Sequence, residues 1–337
     1  MPFFARFERE NWKTMSNTEG LEAAADAIGK AGDLALACHV GPDGDALGSM
    51  LGLGIAAQNA GKTVRASFGS PFVMPPNLGF LPSDLLVPPG DFPAAPDLMV
   101  VLDAGSPDRL GELAANASKA ATVVVLDHHI TNEGFGTISV VDATAAATGE
   151  LVFDLLGLLD WPITPDVANC LHTALVTDTG RFLYSNTTQR TLQIAAVLVG
   201  AGASPTQIGS HVYERSPFGY LKVAAAALSR AELDVDARFV STIVTQADLT
   251  AAGIDWGDID NLIDTLRLAE EADVATLAKV QADGRVRVSM RSRGDTDVGS
   301  LAAAMGGGGH RLASGFTAEG DAAVVIRQIR EAIEEYR

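Results

Sequence analysis

Three short apolar runs in this chain stop abruptly on titratable residues. Leu34–Cys38 is followed by His39, with Asp43 and Asp45 close behind; Leu98–Leu102 is followed by Asp103; and Thr122–Leu126 runs into Asp127-His128-His129. Apolar runs this short, bounded by turn residues, read as buried strands rather than helices. Helical patterns alternate with them, over roughly Thr18–Lys30 and Asp45–Ala60, the latter closed by Gly61 as its C′ residue. Further strands are expected at Thr63–Phe68 and Thr137–Val141, and Pro71–Pro96 reads as an irregular connection. Strands alternating with helices predict an α/β domain built on a doubly wound, mostly parallel sheet. In such a sheet ligands gather at the carboxyl ends of the strands. The fold prediction therefore puts all three Asp/His clusters on one sheet edge.

The residue types at that edge point to a metal. One imidazole and two carboxylates within seven residues, His39, Asp43 and Asp45, suit a hard or borderline divalent cation. Pro42 and Gly44 keep the turn tight, and Gly48 lets the following helix start pack closely. A helix cap alone would account for Asp43 or Asp45. Independent caps do not account for three clusters that align. A fourth acid, Asp178, follows helical patterns over Gly149–Leu159 and Pro165–Thr177. At a helix C-terminus a carboxylate meets the negative end of the dipole, a poor place unless a cation compensates it.

A length of 337 residues predicts two domains, and a hydrophobic content of 47% is enough for a full core. The formal net charge of −18 opposes binding of long duplex nucleic acid but allows a short phosphorylated substrate. No apolar run reaches the length of a membrane helix, and Met1–Lys13 lacks the pattern of a signal peptide. These first residues read as a loose extension, with Met15 an alternative start. Two cysteines, Cys38 and Cys170, make no disulfide framework, and a reducing cytoplasm is the expected compartment.

Past a helix over Thr188–Gly202 and a connector over Pro205–Ser216, the pattern changes to a smaller α+β module. Leu221–Ala231, Asp258–Ala269, Val298–Met305 and Ala322–Glu335 read as helices; Val240–Val244, Val274–Val280 and Val286–Met290 read as strands. Arg285, Arg287, Arg291, Arg293 and Arg311 lie close in sequence, and Gly306-Gly307-Gly308-Gly309-His310 sits between them. A glycine run lets backbone amides approach an anion, with His310 as donor. The plainer alternative is a flexible loop beside a solvated basic strand face.

His39-x-x-Pro42-Asp43-x-Asp45-Ala46, Asp103, Asp127-His128-His129 and Asp178, in this order, resemble the four motifs of the DHH phosphoesterase superfamily. Val288-Ser289-Met290-Arg291-Ser292 and the Gly306–His310 run resemble the DHH-associated C-terminal domain. The length and Thr177-Asp178-Thr179-Gly180-Arg181-Phe182 are most similar to the nanoRNase/pAp phosphatase branch; the longer RecJ exonucleases carry additional domains, and His172 is a small departure. The resemblance implies an extension over 1–15, a catalytic domain over 16–187, a helical connector over 188–216 and a substrate-binding domain over 217–337, with the active site in the cleft between domains. It also implies two manganese ions, with magnesium or cobalt as substitutes. His39, Asp43 and Asp103 would hold one, and Asp45, Asp103, His128 and Asp178 the other. Asp127 is expected to orient His128 or to support the shell behind it, and His129 to face the substrate phosphate. Arg291, Ser292, Arg293, Gly307, Gly308, Gly309, His310 and Arg311 are the expected substrate-binding residues.

The implied reaction is metal-dependent phosphoester hydrolysis through a hydroxide bridging the two ions. The implied substrates are oligoribonucleotides a few residues long, 3′-phosphoadenosine 5′-phosphate (pAp), and cyclic di-AMP or its linear form pApA. Relatives of this kind are often homodimers. Two competing readings remain: an inorganic pyrophosphatase or short-chain polyphosphatase, which the Gly306–His310 run argues against, and a non-hydrolytic nucleotide sensor, which the full set of motif residues argues against.

Overall fold

In the computed structural model, which describes residues 18–132 and 134–336, the chain divides into two compact units, one reaching Val212 and the next starting at Tyr213. The extension expected over 1–15, and Met15 with it, lies outside the described residues.

The first unit begins with helix α1 (Thr18–Lys30), strand β1 (Asp33–Cys38), helix α2 (Gly44–Asn59) and strand β2 (Thr63–Phe68). An irregular stretch leads to β3 (Leu98–Leu102), the short helix α3 (Ala114–Ala117), β4 (Thr122–Asp127) and β5 (Ile138–Val141). Helices α4 (Thr148–Leu158), α5 (Pro165–Asp178), α6 (Gln189–Gly200) and α7 (Pro205–Tyr213) follow. The five strands form one parallel sheet in the order β2-β1-β3-β4-β5. The chain leaves β1 outward to β2 and returns on the other side to β3. The crevice at the carboxyl ends of β1 and β3 is therefore the topological switch point, where open α/β sheets bind ligands.

The central strand β3 is apolar and buried along its whole length, and β1 and β4 are buried over all but their first residue, because both sheet faces are covered. Helix α2 lies on β1, β2 and β3, and α4 on β4. On the opposite face Ala35, Ala37, Met99, Val101 and Val125 pack with Phe92 of the irregular stretch and with Leu110 and Leu113 of the tight turn Pro107–Leu113. Full burial of a valine or leucine contributes about 1.5–3 kcal/mol, so the sheet centre anchors the strand ends that carry the site. Helices α2 and α5 approach closely at Gly48, where an added Cβ would lie 2.4 Å from the Cys170 carbonyl oxygen.

The connector expected over 188–216 is two helices of the first unit. Helix α6 buries Ile194, Ala195 and Leu198, and α7 buries Ile208 and Val212 four residues apart. Pro205 is expected to open a connector. It is instead the first helical residue, where its missing N–H costs nothing, with Ser204 capping the Gln207 amide.

The second unit holds α8 (Phe218–Ser229), β6 (Glu232–Asp234), β7 (Phe239–Thr245), α9 (Gln246–Ala252), α10 (Leu262–Leu266), β8 (Val274–Val280), β9 (Arg285–Ser292), α11 (Val298–Ala304), β10 (Gly308–His310), β11 (Ala313–Glu319) and α12 (Ala322–Tyr336). Its six-stranded sheet has the order β10-β11-β9-β8-β7-β6, with only β7 and β8 parallel. The single helix expected over Asp258–Ala269 is shorter and broken. Asp255 and Asp258 close a capping box on a tight turn at Trp256–Ile259, and α10 starts anew after Asn261.

The Gly306–His310 run is not a free loop. Gly308–His310 is an edge strand paired with β11. A Cβ on Gly307 would lie 2.2 Å from the Gly315 carbonyl oxygen, so glycine there permits the close approach of β11.

Candidate metal centre

Parallel strand ends deliver the side chains. β1 ends one residue before His39, β3 one residue before Asp103, and β4 ends on Asp127 with His128 and His129 next. Asp43 is the N-cap of α2, its Oδ1 accepting the amides of Asp45 and Ala46 at 3.1 Å. Asp45 lies in the first turn of that helix and is fully buried. Asp178 is the last residue of α5. Asp103 is held at φ +55°, a left-handed conformation that costs a residue with a Cβ about 1–3 kcal/mol and collects at functional sites.

Two imidazoles share one arrangement. A carbonyl only accepts, so His39 Nδ1–H donates to the Val40 oxygen at 3.0 Å and His128 Nδ1–H donates to the Ala145 oxygen at 3.2 Å. Each Nε2 then faces carboxylates. His39 Nε2 lies 3.8 Å from Asp43 Oδ1 and 3.6 Å from Asp103 Oδ2. His128 Nε2 lies 3.1 Å from Asp178 Oδ2, 3.5 Å from Asp45 Oδ2 and 3.6 Å from Asp103 Oδ1. Asp103 thus stands between the two groups, one oxygen toward each imidazole. A backbone carbonyl on Nδ1, leaving Nε2 for a ligand, is the arrangement that metal-binding histidines use.

His129 is turned the other way. Its Nδ1–H donates to Asp127 Oδ1 at 2.7 Å. Asp127 is buried and also accepts the His128 amide at 2.9 Å and Asn132 Nδ2 at 2.7 Å. Asp127 therefore holds the His129 ring, while the His128 ring is held by Ala145. Of the two roles expected of Asp127, its side chain orients the His129 ring rather than the His128 ring, because the strand end turns His129 back over Asp127, and it supports His128 through the backbone amide.

The electrostatics are those of a site built around positive charge. Burial opposes protonation of His39, yet Asp103 and Asp43 outweigh it and raise its pKa to about 10. His128 is raised well above the ordinary imidazole value: burial acts against this, and Asp178, Asp45 and Asp103 overcome it. Burial, then Asp103 and Asp178, push the Asp45 carboxyl well above the usual range. The imidazoles of His39 and His128, each among carboxylates, are biased toward the charged form, the charge that a divalent cation would otherwise supply there. Four carboxylates and two imidazoles, with no thiol among them, fit Mn²⁺ or Mg²⁺ better than a structural zinc. The donor atoms of His39, Asp43 and Asp103 lie within 4.8 Å of one another, as do those of Asp45, Asp103 and His128.

Several supporting residues carried no sequence signal. Asp45 accepts the amides of Thr148 at 2.6 Å and Gly149 at 3.0 Å, at the start of α4, and the Ser49 hydroxyl at 2.8 Å. The Thr148 hydroxyl donates to Asp103 Oδ1 at 3.0 Å. Asn186 Nδ2 donates to the backbone oxygens of Ala146 and Asp178. The sequence partners of Thr148 lie 103 and 45 residues away, so no local spacing marks them.

The expected substrate-binding residues lie in the second unit. Arg285, Arg287, Ser289 and Arg291 alternate along one face of β9, as far as the strand runs. Ser292 points from the other face and is 2% exposed, so it is not on the arginine face. Arg293 lies past the strand and donates to the Arg267 and Ala269 oxygens, where it serves the end of α10. Arg311 donates to the Asp295 oxygen, and Arg291 Nε is 3.7 Å from Asp264 Oδ1. Lys279, unremarked in the sequence, is buried directly across from Arg287 and donates to Asp260 at 2.7 Å.

Comparison with known proteins agrees with this geometry. The profile of the DHH family, N-terminal domain, matches residues 34–175, and that of the DHHA1 domain matches residues 238–336. The bifunctional oligoribonuclease and PAP phosphatase NrnA of Thermus thermophilus is 34% identical over 312 residues, 90% of this chain and 90% of that protein. Its Bacillus subtilis namesake is 28% identical, over 82% of this chain and 86% of that protein. Among solved structures, an exopolyphosphatase-related protein from Bacteroides fragilis superposes with a TM-score of 0.86 at 23% identity, covering 94% of this chain and 96% of that one. RecJ of Thermus thermophilus in complex with Mn²⁺ superposes with a TM-score of 0.54 at 14% identity, covering 94% of this chain and 54% of that one. The motif residues at the switch point, the mixed second sheet and these relatives lead to one conclusion: the chain belongs to the DHH phosphoesterase family, with a DHHA1 second unit, and is a phosphoric ester hydrolase of the NrnA type.

Proposed function

We propose that this chain is a manganese-dependent phosphoesterase that hydrolyses short oligoribonucleotides and small adenylates, among them pAp, pApA and cyclic di-AMP. One observation carries the reading: the Asp103 carboxylate stands between His39 with Asp43 on one side and His128 with Asp45 and Asp178 on the other. His39, Asp43 and Asp103 would hold one cation, and Asp45, Asp103, His128 and Asp178 a second. Bound there, such cations would supply activation of water and compensation of negative charge at phosphorus.

The chain's own residues supply the rest. Asp127 fixes the His129 ring and, after burial has opposed protonation, keeps its pKa above the ordinary imidazole value. That upward shift favours the charged ring, which would direct positive charge at a phosphate oxygen. Arg291, with Arg287 on the same face of β9, supplies charge for a second phosphate or the far nucleotide. Gly307, Gly308, Gly309, His310 and Arg311 belong to the same substrate-binding assignment, supported by the family resemblance of their motif. The relatives whose names specify oligoribonuclease and PAP phosphatase support the substrate class. Among the described residues no helix is long and apolar enough to cross a membrane, and both cysteines are free and buried, which fits a reducing compartment.

The test is turnover of pApA by purified protein with Mn²⁺ and then with chelator, beside cyclic di-AMP, pAp and pyrophosphate. Metal-dependent release of AMP is the expected result. Asp103→Asn should lower turnover by more than the roughly 10–100-fold that loss of a supporting group costs. Cleavage of pyrophosphate with silence on every nucleotide would overturn the substrate reading, and a near-normal Asp103→Asn variant would overturn the shared-ligand reading.

A further inference from the structure

Every supporting contact made by the segment Ala145–Gly149 falls on one side of Asp103. The Ala145 oxygen accepts His128 Nδ1–H, and the Thr148 and Gly149 amides donate to the two oxygens of Asp45. Asn186 ties the Ala146 oxygen to that of Asp178. His39 and Asp43 are fixed by other means: His39 by its own neighbour's carbonyl, and Asp43 by the amides that open α2. Thr148 is the one residue of the segment whose side chain reaches Asp103, and it is fully buried.

A carboxylate is two-fold symmetric about its Cβ–Cγ bond, and that torsion is soft. Covalent geometry therefore does not decide which oxygen faces which imidazole, nor whether the plane bridges the two groups or turns aside. The backbone of Asp103, held at φ +55°, does not by itself set the plane of the carboxylate. The hydroxyl of Thr148 has one proton and places it on Oδ1, the oxygen facing His128 and not the one facing His39. A hydrogen bond from a fixed, buried donor to one oxygen breaks the symmetry and sets the plane.

We propose that Thr148 is a positioning residue that assigns each oxygen of Asp103 to one cation position, and that it supports the position formed with Asp45, His128 and Asp178 rather than the one formed with His39 and Asp43. This rests on the reading of Asp103 as the shared ligand. Supporting groups of this kind are worth about 10–100-fold in metal affinity. Removing the hydroxyl should thus weaken one position and spare the other.

Thr148→Val keeps shape and backbone amide and removes the hydroxyl; Thr148→Ser keeps the hydroxyl. Metal-free protein of each, with histidine rings isotopically labelled, is titrated with Mn²⁺ and followed by calorimetry and by paramagnetic broadening of ring signals. Thr148→Val should still bind two ions, one of them about 10–100-fold more weakly. His39 signals should broaden at substoichiometric metal, well before those of His128. Thr148→Ser should titrate as the parent protein does, and its kcat should match.

Unchanged affinities and unchanged order in Thr148→Val would overturn the proposal. So would equal weakening of both positions, or a Thr148→Ser variant as impaired as the valine. If Thr148→Val and Thr148→Ser both lower the melting temperature of the metal-free protein and leave the titration as in the parent, the residue is only structural. Should the valine variant fail to fold, Thr148→Ala removes the same hydroxyl and is read in the same way. Asp103→Asn separates this proposal from the reading beneath it: if Asp103→Asn leaves both affinities as they were, Asp103 is not shared and the fault lies there.

Discussion

His39 shows how one residue's surroundings translate into a measurable pH dependence. Its folded pKa is raised to about 10 by Asp103 and Asp43, working against burial; a free imidazole titrates near 6.5. A raised histidine contributes stability that is fully present below about pH 6.5 and is lost as pH rises through about 10. In the metal-free protein the contribution of His39 should thus decline between pH 7 and 10. A cation at His39 must displace that proton, so metal affinity should rise over the same window. Calorimetry at pH 8, in two buffers of different ionisation enthalpy, should show about one or more protons released per protein on Mn²⁺ binding. Release of none between pH 7 and 9 would remove His39 from the ligand set. The places of His39, Asp43, Asp45, Asp103, His128 and Asp178 at strand ends and helix termini were legible in the sequence because each sits where an apolar or helical pattern starts or stops; their roles as ligands are proposed. Thr148, Ser49, Asn132 and Asn186 were not legible. Thr148 and Asn186 act through contacts to residues distant in sequence; Ser49 and Asn132 reach Asp45 and Asp127 from four and five residues away, but such residues are common enough in any chain to carry no signal.

At the scale of elements, the pair α2 and α5 sets the distance between Asp45 and Asp178. The pair touches through Gly48, where an added Cβ would also lie 3.0 Å from the Ala174 amide nitrogen. Both obstructing atoms are backbone, so the helices must separate to admit a methyl. Gly48→Ala gains about 1 kcal/mol of helix propensity and loses about 1–3 kcal/mol to overpacking; Gly48→Val should lose more. Urea unfolding should show both variants less stable, with Gly48→Val the lower. Turnover should fall with stability, because Asp178 is carried away from Asp45. A Gly48→Val variant as stable and active as the parent would refute the close-contact account. The sequence showed these helices and the five parallel strands plainly, since their burial pattern runs along the element. Elements stabilised by partners far along the chain were hidden. Strand β10 lies in a glycine run with no alternation to display, and it is ordered by its ladder to β11. Helix α9 is only seven residues long and depends on the Thr245–Asp248 capping box. Helix α7 opens on Pro205, where a connector is expected from the sequence.

The whole molecule carries a net charge of −18 while its proposed substrates are anions, so positive charge has to be concentrated locally. The first unit has no such excess at its strand ends: Asp43, Asp45, Asp103, Asp127 and Asp178 gather there with three histidines. The second unit carries its own on β9, where Arg287 and Arg291 share one face; Lys279, directly across the ladder from Arg287, is buried and tied to Asp260. The two kinds of charge respond to different ligands, and this makes the division of labour testable in the intact chain. An ion at 100 times its Kd stabilises what it binds by about 2.7 kcal/mol. Hydrogen exchange with Mn²⁺ alone should therefore slow in peptides covering 34–46, 98–104, 122–132 and 142–150 and around Asp178, and should leave 285–316 unchanged. With pAp added to the Mn²⁺ protein, protection should extend to peptides around Arg287 and Arg291. Protection of 285–316 by Mn²⁺ alone would show that ligands outside the first unit hold the metal. Absence of any change there with pAp would show that the first unit binds substrate unaided, because a phosphate contacting β9 must restrain the amides beneath it.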